Sequence, residues 1–161
     1  METLLAGAQV GDPAVHATWL FEQQQSANLW RKPIAPMLDL ARELRAAGAL
    51  TAVLSNSEGR LAALFEEIGI ASVFHTIVDS GRVGIEKPDP RIFTHTLEAL
   101  GARGPAIHIG DSWAADIVGA RGVGWKAIWF GPEVAPVDDD GVAAARDASE
   151  VRAALTRWGA L

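Results

Sequence analysis

An α/β fold with a mostly parallel sheet is predicted by two features of the sequence. Short apolar runs with β-branched centres alternate with amphipathic helical stripes of about ten to twelve residues, the pattern of βα units. Most of those stripes also close on a glycine, the usual left-handed stop of a helix that turns back toward a sheet. Size and composition agree with a packed domain: 161 residues, 49% hydrophobic and 21% charged, far from a disordered chain.

The elements follow in order. From Pro13 to Trp30 the chain reads as a polar, Gln-rich helix touching its surroundings through Val15, Trp19 and Leu20, and it ends near Pro33 and Pro36. In MLDLARELRAAG, Met37, Leu40, Ala41 and Leu44 make one apolar stripe and Gly48 supplies the stop. ALTAVLSN then reads as a buried strand. A second stripe, Leu61, Leu64, Phe65 and Ile68, closes on Gly69 and leads into the strand FHTIVDS. Asp89 and Pro90 are an N-cap and first-turn pair for a helix with Ile92, Phe93, Thr96, Leu97 and Leu100 inward, closed by Gly101. AIHIGDS is the next strand, a short helix spans about Trp113 to Arg121, and WKAIWFG is the fourth strand. Asp138 to Asp140 read as an exposed loop. Asp147 and Glu150 have capping-box spacing before a last helix carrying Val151, Leu155 and Trp158.

Charge and composition exclude several functions. The 14 Lys+Arg against 20 Asp+Glu give a net charge of −6, and the basic residues do not cluster, which argues against a nucleic-acid surface. With no cysteine, thiol nucleophiles, disulfides and Cys-ligated metals are out. No stretch approaches the length of a membrane span and the first residues lack a signal-peptide pattern, so a cytoplasmic protein is expected.

In a parallel α/β sheet, ligands bind beyond the carboxyl ends of the strands, and three polar clusters fall there. Ser55, Asn56 and Ser57 follow the first strand, where a hydroxyl and backbone N–H groups ahead of a helix suit an anion; taken alone, the cluster reads more simply as Ser57 or Asn56 capping the helix. Lys87, in GIEKPDPRIF, is a cation able to reach a phosphate oxygen; alone it reads as a solvated loop lysine, but Pro88 and Pro90 restrict the backbone after it. In HIGDSWAAD, Asp111 at a strand end suits the hard ion Mg²⁺, and Asp116 follows on the next helix; capping and surface roles are the plain alternatives. The glycine-rich GARGVGW runs from a helix into a strand, the reverse of a dinucleotide-binding turn.

Taken together, VLSNS with Ser55, EKPDP with Lys87 and IGDSWAAD with Asp111 and Asp116 resemble the second, third and fourth motifs of the haloacid dehalogenase-like (HAD) hydrolases, over roughly Arg31 to Phe130. The resemblance implies a HAD-like Rossmannoid core over 33–161, with 1–32 as the remnant of a helical cap. It implies that Ser55, Asn56 and Lys87 bind phosphoryl oxygens, that Lys87 and Asp116 serve catalysis, and that Asp111 ligates Mg²⁺. The implied activity is that of a phosphatase acting on a small phosphorylated metabolite, with a haloacid dehalogenase or a non-catalytic anion-binding protein as the alternatives.

The family's first motif, an apolar strand ending in Asp-x-Asp, supplies its nucleophile. Upstream of Ser55 the aspartates are Asp12 and Asp39, followed two residues on by Ala14 and Ala41, so none is assigned as nucleophile. The resemblance therefore implies that the central first strand is missing, that the sheet falls into two strand pairs with bare inner edges open to self-association, and that the chain is the C-terminal part of a longer protein, inactive alone.

Overall fold

The computed structural model of the chain describes residues 12, 14–16, 18–19, 31–131 and 139–161. The chain divides into two compact units, Met1–Pro33 and Ile34–Leu161. In the first, residues 14–16 and 18–19 are helical, and the Asp12 carboxylate accepts from the Ala14 N–H at 3.0 Å, capping the turn. The rest of the helix expected over Pro13–Trp30 lies outside the described residues.

The second unit alternates strands and helices. Helix α1 (Ala35–Ala46) carries Pro36 in its first turn, where a missing N–H costs nothing. Gly48 then takes φ +90° and turns the chain toward β1 (Ala52–Ser55). There follow α2 (Leu61–Glu67), a 3₁₀ turn (Ala71–Val73), β2 (Thr76–Asp79) and the single turn α3 (Ser80–Val83). Helix α4 (Pro90–Ala99) is capped by Asp89 as expected. Next come β3 (Ile107–Gly110), a π-helix (Trp113–Val118) that continues into α5 (Gly119–Gly122), β4 (Lys126–Phe130), β5 (Val142–Ala145) and α6 (Ala148–Arg157).

Among the described residues the strands pair in parallel, in two separate sheets. β1 pairs with β2, Ser55 opposite Asp79; β3 pairs with β4 and β4 with β5. Among the described residues, no strand joins the inner edges of β1 and β3. The second group has three strands where a pair was expected. β5 escaped notice because Val142–Ala145 is three small residues after one valine, with no branched or aromatic run to mark it.

Alternation along β4 shows how the sheet is covered on both faces. Ala127 belongs to a core with Leu54, Val78, Ile92, Phe93, Ile117, Ala120 and Trp125, whereas its neighbour Ile128 packs with Leu40, Ala143, Ala145, Val151, Ala154 and Leu155. Helix α4 thus covers one face, with the π-helix and α5, and helices α1 and α6 cover the other. Glu43 and Arg152 pair across α1 and α6. At the start of α6, Asp147 caps the Ser149 and Glu150 N–H groups. The other half of the expected capping box is displaced by one residue, because Glu150 accepts from the Arg146 N–H at 2.8 Å. Among the described residues no helix is long and apolar enough to cross a membrane.

Candidate functional site

The carboxyl ends of β1 and β3 are linked by one side chain. Lys87 Nζ donates to the Leu54 carbonyl at 2.9 Å and to Asp116 Oδ1 at 2.6 Å. The direction of the first bond follows from strand alternation. The Thr51 carbonyl faces β2, where it accepts from the His75 N–H, so the Ala52 and Leu54 carbonyls face the inner edge. Lys87 therefore occupies the end of that inner edge. The residue is placed by a reciprocal amide clamp: the Lys87 N–H donates to Asn56 Oδ1 at 2.8 Å and Asn56 Nδ2 donates to the Lys87 carbonyl at 3.0 Å. The Lys87–Pro88 peptide is cis.

Asp116 is the buried anchor of the site. Its Oδ1 accepts from Lys87 and also from His108 Nε2 at 2.9 Å, and its Oδ2 accepts from the Ser112 N–H at 2.9 Å. The last bond reaches back to the residue that caps the π-helix, as in a capping box with one residue of extra reach. Only 9% of the Lys87 side chain and 4% of that of Asp116 is exposed. Burial pushes the Asp116 carboxyl up, but the hydrogen bonds from His108 and Lys87, the Lys87 charge and the Ser112 N–H outweigh it and hold the group well below the usual carboxylate range.

Gly110 is what lets the carboxylate approach the strand end. A Cβ on Gly110 would lie 2.6 Å from Asp116 Cβ and closer still to its carboxyl carbon. The variant Gly110→Ala is expected to lose about 1–3 kcal/mol of stability through this overpacking, read by urea unfolding; unchanged stability would show that the π-helix yields freely.

A second buried carboxylate shapes the turn after β1. Asp79, 2% exposed, accepts from the Gly59, Leu61 and Gly81 N–H groups at 2.9, 3.0 and 3.0 Å. Burial raises its pKa, and these backbone donors more than reverse the effect, leaving the carboxyl below its ordinary value. The Ser57 N–H donates to Ser80 Oγ at 3.0 Å, and Gly81 lies so close to this turn that a Cβ there would meet the Ser57 carbonyl oxygen at 2.6 Å. The Ser57 hydroxyl is near enough to Asp79 to favour its ionised form but makes no hydrogen bond of good geometry.

Ser55, Asn56, Lys87 and Asp116 are thus brought to one place, with Ser55 half-buried at the end of β1. Asp111 is exposed after β3, and Trp129 Nε1 donates to its carbonyl at 3.0 Å. Trp129 in turn packs edge-to-face on Trp113, with ring centroids 5.1 Å apart. Among the described residues, no three His, Cys, Asp or Glu side chains are arranged to hold a metal. Asp116 already accepts three hydrogen bonds, and one exposed carboxylate does not define a site for an ion that wants near-octahedral oxygen ligation. The described residues on their own do not fit Mg²⁺.

Sequence reasoning missed His108 and Asp79. Both left a signal: His108 is a lone polar residue inside the run AIHIG, and Asp79 ends its strand in the same way as the residues that were singled out.

Parallel strands covered on both faces, with their polar side chains collected at the carboxyl ends, define a Rossmann-like α/β protein. A family model of the haloacid dehalogenase-like hydrolases matches residues 5–124, and the chain belongs to that family. It is 41% identical over 100 residues to haloacid dehalogenase-like hydrolase domain-containing protein 3 of Bos taurus, a match covering 60% of this chain and 39% of that protein. It is also 41% identical over 73 residues to a phosphoserine phosphatase of Thermus thermophilus, covering 45% and 29%. The crystal structure of a HAD phosphatase from Thermococcus onnurineus superposes with a TM-score of 0.63 at 28% identity, over 71% of this chain and 54% of that one. The chain therefore spans well under half the length of these two curated relatives.

Proposed function

We propose that this chain forms the phosphoryl-binding side of a phosphatase site for a small phosphomonoester. The observation that carries the reading is the Lys87 ammonium. Two of its three N–H groups are directed at Leu54 O and Asp116 Oδ1, and an ammonium has a third to give to an oxygen of a bound anion. In this reading Ser55 and the backbone after β1 take further phosphoryl oxygens, Asn56 holds the Lys87 loop against that turn, and Asp116 fixes the cation. The similarity to a phosphoserine phosphatase supports the choice of a phosphate ester. A Mg²⁺ requirement would need oxygen ligands in addition to Asp111, since the described residues alone do not fit the ion.

One feature favours a second reading, an anion-binding role without chemistry: upstream of Ser55 no aspartate has an acidic partner two residues on, so no residue there can be given the nucleophile's part. Calorimetric titration of the 161-residue chain with inorganic phosphate tests the first reading and an ester assay tests the second. Phosphate is expected to bind and Lys87→Met to abolish binding, with Ser55→Ala as the weaker variant should the first fail to fold. Binding that neither change affects, or no binding by the parent, would overturn the phosphoryl reading. Hydrolysis of p-nitrophenyl phosphate with Mg²⁺ is expected to be no faster than that of an Asp111→Ala variant; a rate that depends on Asp111 would overturn the non-catalytic role.

A further inference from the structure

We infer that His108 is a positioning residue for the Lys87 ammonium, acting through Asp116. This rests on the phosphoryl-binding reading above and adds to it a residue outside the motifs that suggested it. The geometry is direct. His108 Nε2 and Lys87 Nζ converge on the same oxygen, Asp116 Oδ1, at 2.9 and 2.6 Å. Because a carboxylate oxygen can only accept, the imidazole presents its N–H at Nε2.

The ring is held in that orientation from the other side. Phe93 meets it edge-on, with centroids 5.6 Å apart and planes at 83°, and packs in the same way on Trp125 at 5.4 Å. Gly119 in turn abuts Phe93: a Cβ there would stand 2.7 Å from the ring tip. His108 is buried and lies in β3, so the bond ties the carboxylate to the sheet rather than to its own helix.

Two effects follow for the cation, and both act in the same direction. With His108 and Ser112 holding its two oxygens, the Asp116 carboxylate cannot swing, and the Lys87 N–H groups keep fixed directions. A carboxylate oxygen that already accepts from an imidazole also pulls less strongly on the ammonium, leaving more of the cation's field for a bound anion. Without His108, Asp116 Oδ1 keeps only the Lys87 ammonium of its two donors, and the lysine turns from the anion toward its partner.

The test compares the parent chain with His108→Gln, whose side-chain amide can place an N–H near the Nε2 position, and His108→Leu, which fills the space without a donor. Far-UV circular dichroism checks that each folds. Two readouts are then taken: the Lys87 Hζ–Nζ cross-peak in ¹⁵N NMR at low temperature, which requires a held, protected ammonium, and the affinity for inorganic phosphate. The parent and His108→Gln are expected to show the cross-peak and similar affinities. His108→Leu is expected to lose the cross-peak and to bind phosphate about tenfold more weakly, the scale of one hydrogen bond to a charged group. A cross-peak and affinity unchanged in His108→Leu would overturn the inference, and so would a loss as large in His108→Gln, which would mark a role in packing alone. If the parent binds no phosphate, the phosphoryl-binding reading falls while the cross-peak still decides the positioning role.

Discussion

Replacing Asp116 with alanine is expected to destabilise the chain by about 3–5 kcal/mol, because it strands the Lys87 ammonium in a site with little access to water. The variant Lys87→Met/Asp116→Ala should recover part of that loss, since it removes the unpaired charge along with its partner. The dependence on pH has a definite sign. The Asp116 carboxyl titrates in the folded chain well below its usual range, so its contribution is fully present above about pH 4, the ordinary value, and declines as the pH falls further. Urea unfolding at pH 7 and again near pH 3 checks this: the gap between parent and Asp116→Ala should narrow at the lower pH. A gap that stays constant, or a double variant less stable than the single one, would contradict the buried-pair account.

The second large effect is expected at Asp79. Its carboxylate is the common acceptor for three backbone N–H groups, those of Gly59, Leu61 and Gly81. Alanine there leaves all three without that acceptor, at about 2–4 kcal/mol in total. Asp79→Asn should cost less, because its amide oxygen still accepts while its NH₂ faces donors. The loss is not confined to stability: the turn from Asn56 to Leu61 takes its shape from Asp79, so phosphate affinity should fall in Asp79→Ala even under conditions where the variant is folded. Parallel thermal melts and phosphate titrations separate the two effects, and a folded Asp79→Ala with parental affinity would show that the turn keeps its shape unaided. The Asp79 carboxyl also lies below its ordinary value, so its share of stability likewise declines as the pH falls below the ordinary carboxylate value.

What was legible in the sequence is what periodicity and punctuation record. The stripe Met37, Leu40, Ala41 and Leu44 ended by Gly48, the Asp89–Pro90 start of α4 and the β-branched centre of TAVLS each sit in the structure where their patterns put them. The strand-end rule likewise picked out Ser55, Lys87 and Asp116, which the structure brings together. What it did not carry is the non-local part. β5 is recognisable as a strand only by its ladder to β4. The π-helix depends on an Ile117 N–H bond to the Ser112 carbonyl at 3.4 Å, in parallel with the Asp116 bond to the same oxygen at 2.8 Å, a widening that no residue pattern announces. The amide clamp between Asn56 and Lys87 joins residues that are 31 apart in sequence, so Asn56 could be read only for its own donors and acceptors and not as the residue that aims a lysine loop.

The split between the two sheets has a consequence for which substitutions the chain tolerates. A ladder of backbone hydrogen bonds is largely blind to side-chain identity, since every non-proline residue brings the same N–H and C=O. Between β1 and β3, among the described residues, that anonymous bonding is missing. What crosses the seam is made of particular side chains: Phe93 reaching His108 from the helix packed on β1, Ile92 beside it in the same core, and Lys87 running from Leu54 to Asp116. Elsewhere in the sheet a conservative replacement leaves the ladder whole; along this line each replacement removes part of the connection itself, so the least replaceable residues of the unit gather at its seam rather than at the centre of either sheet.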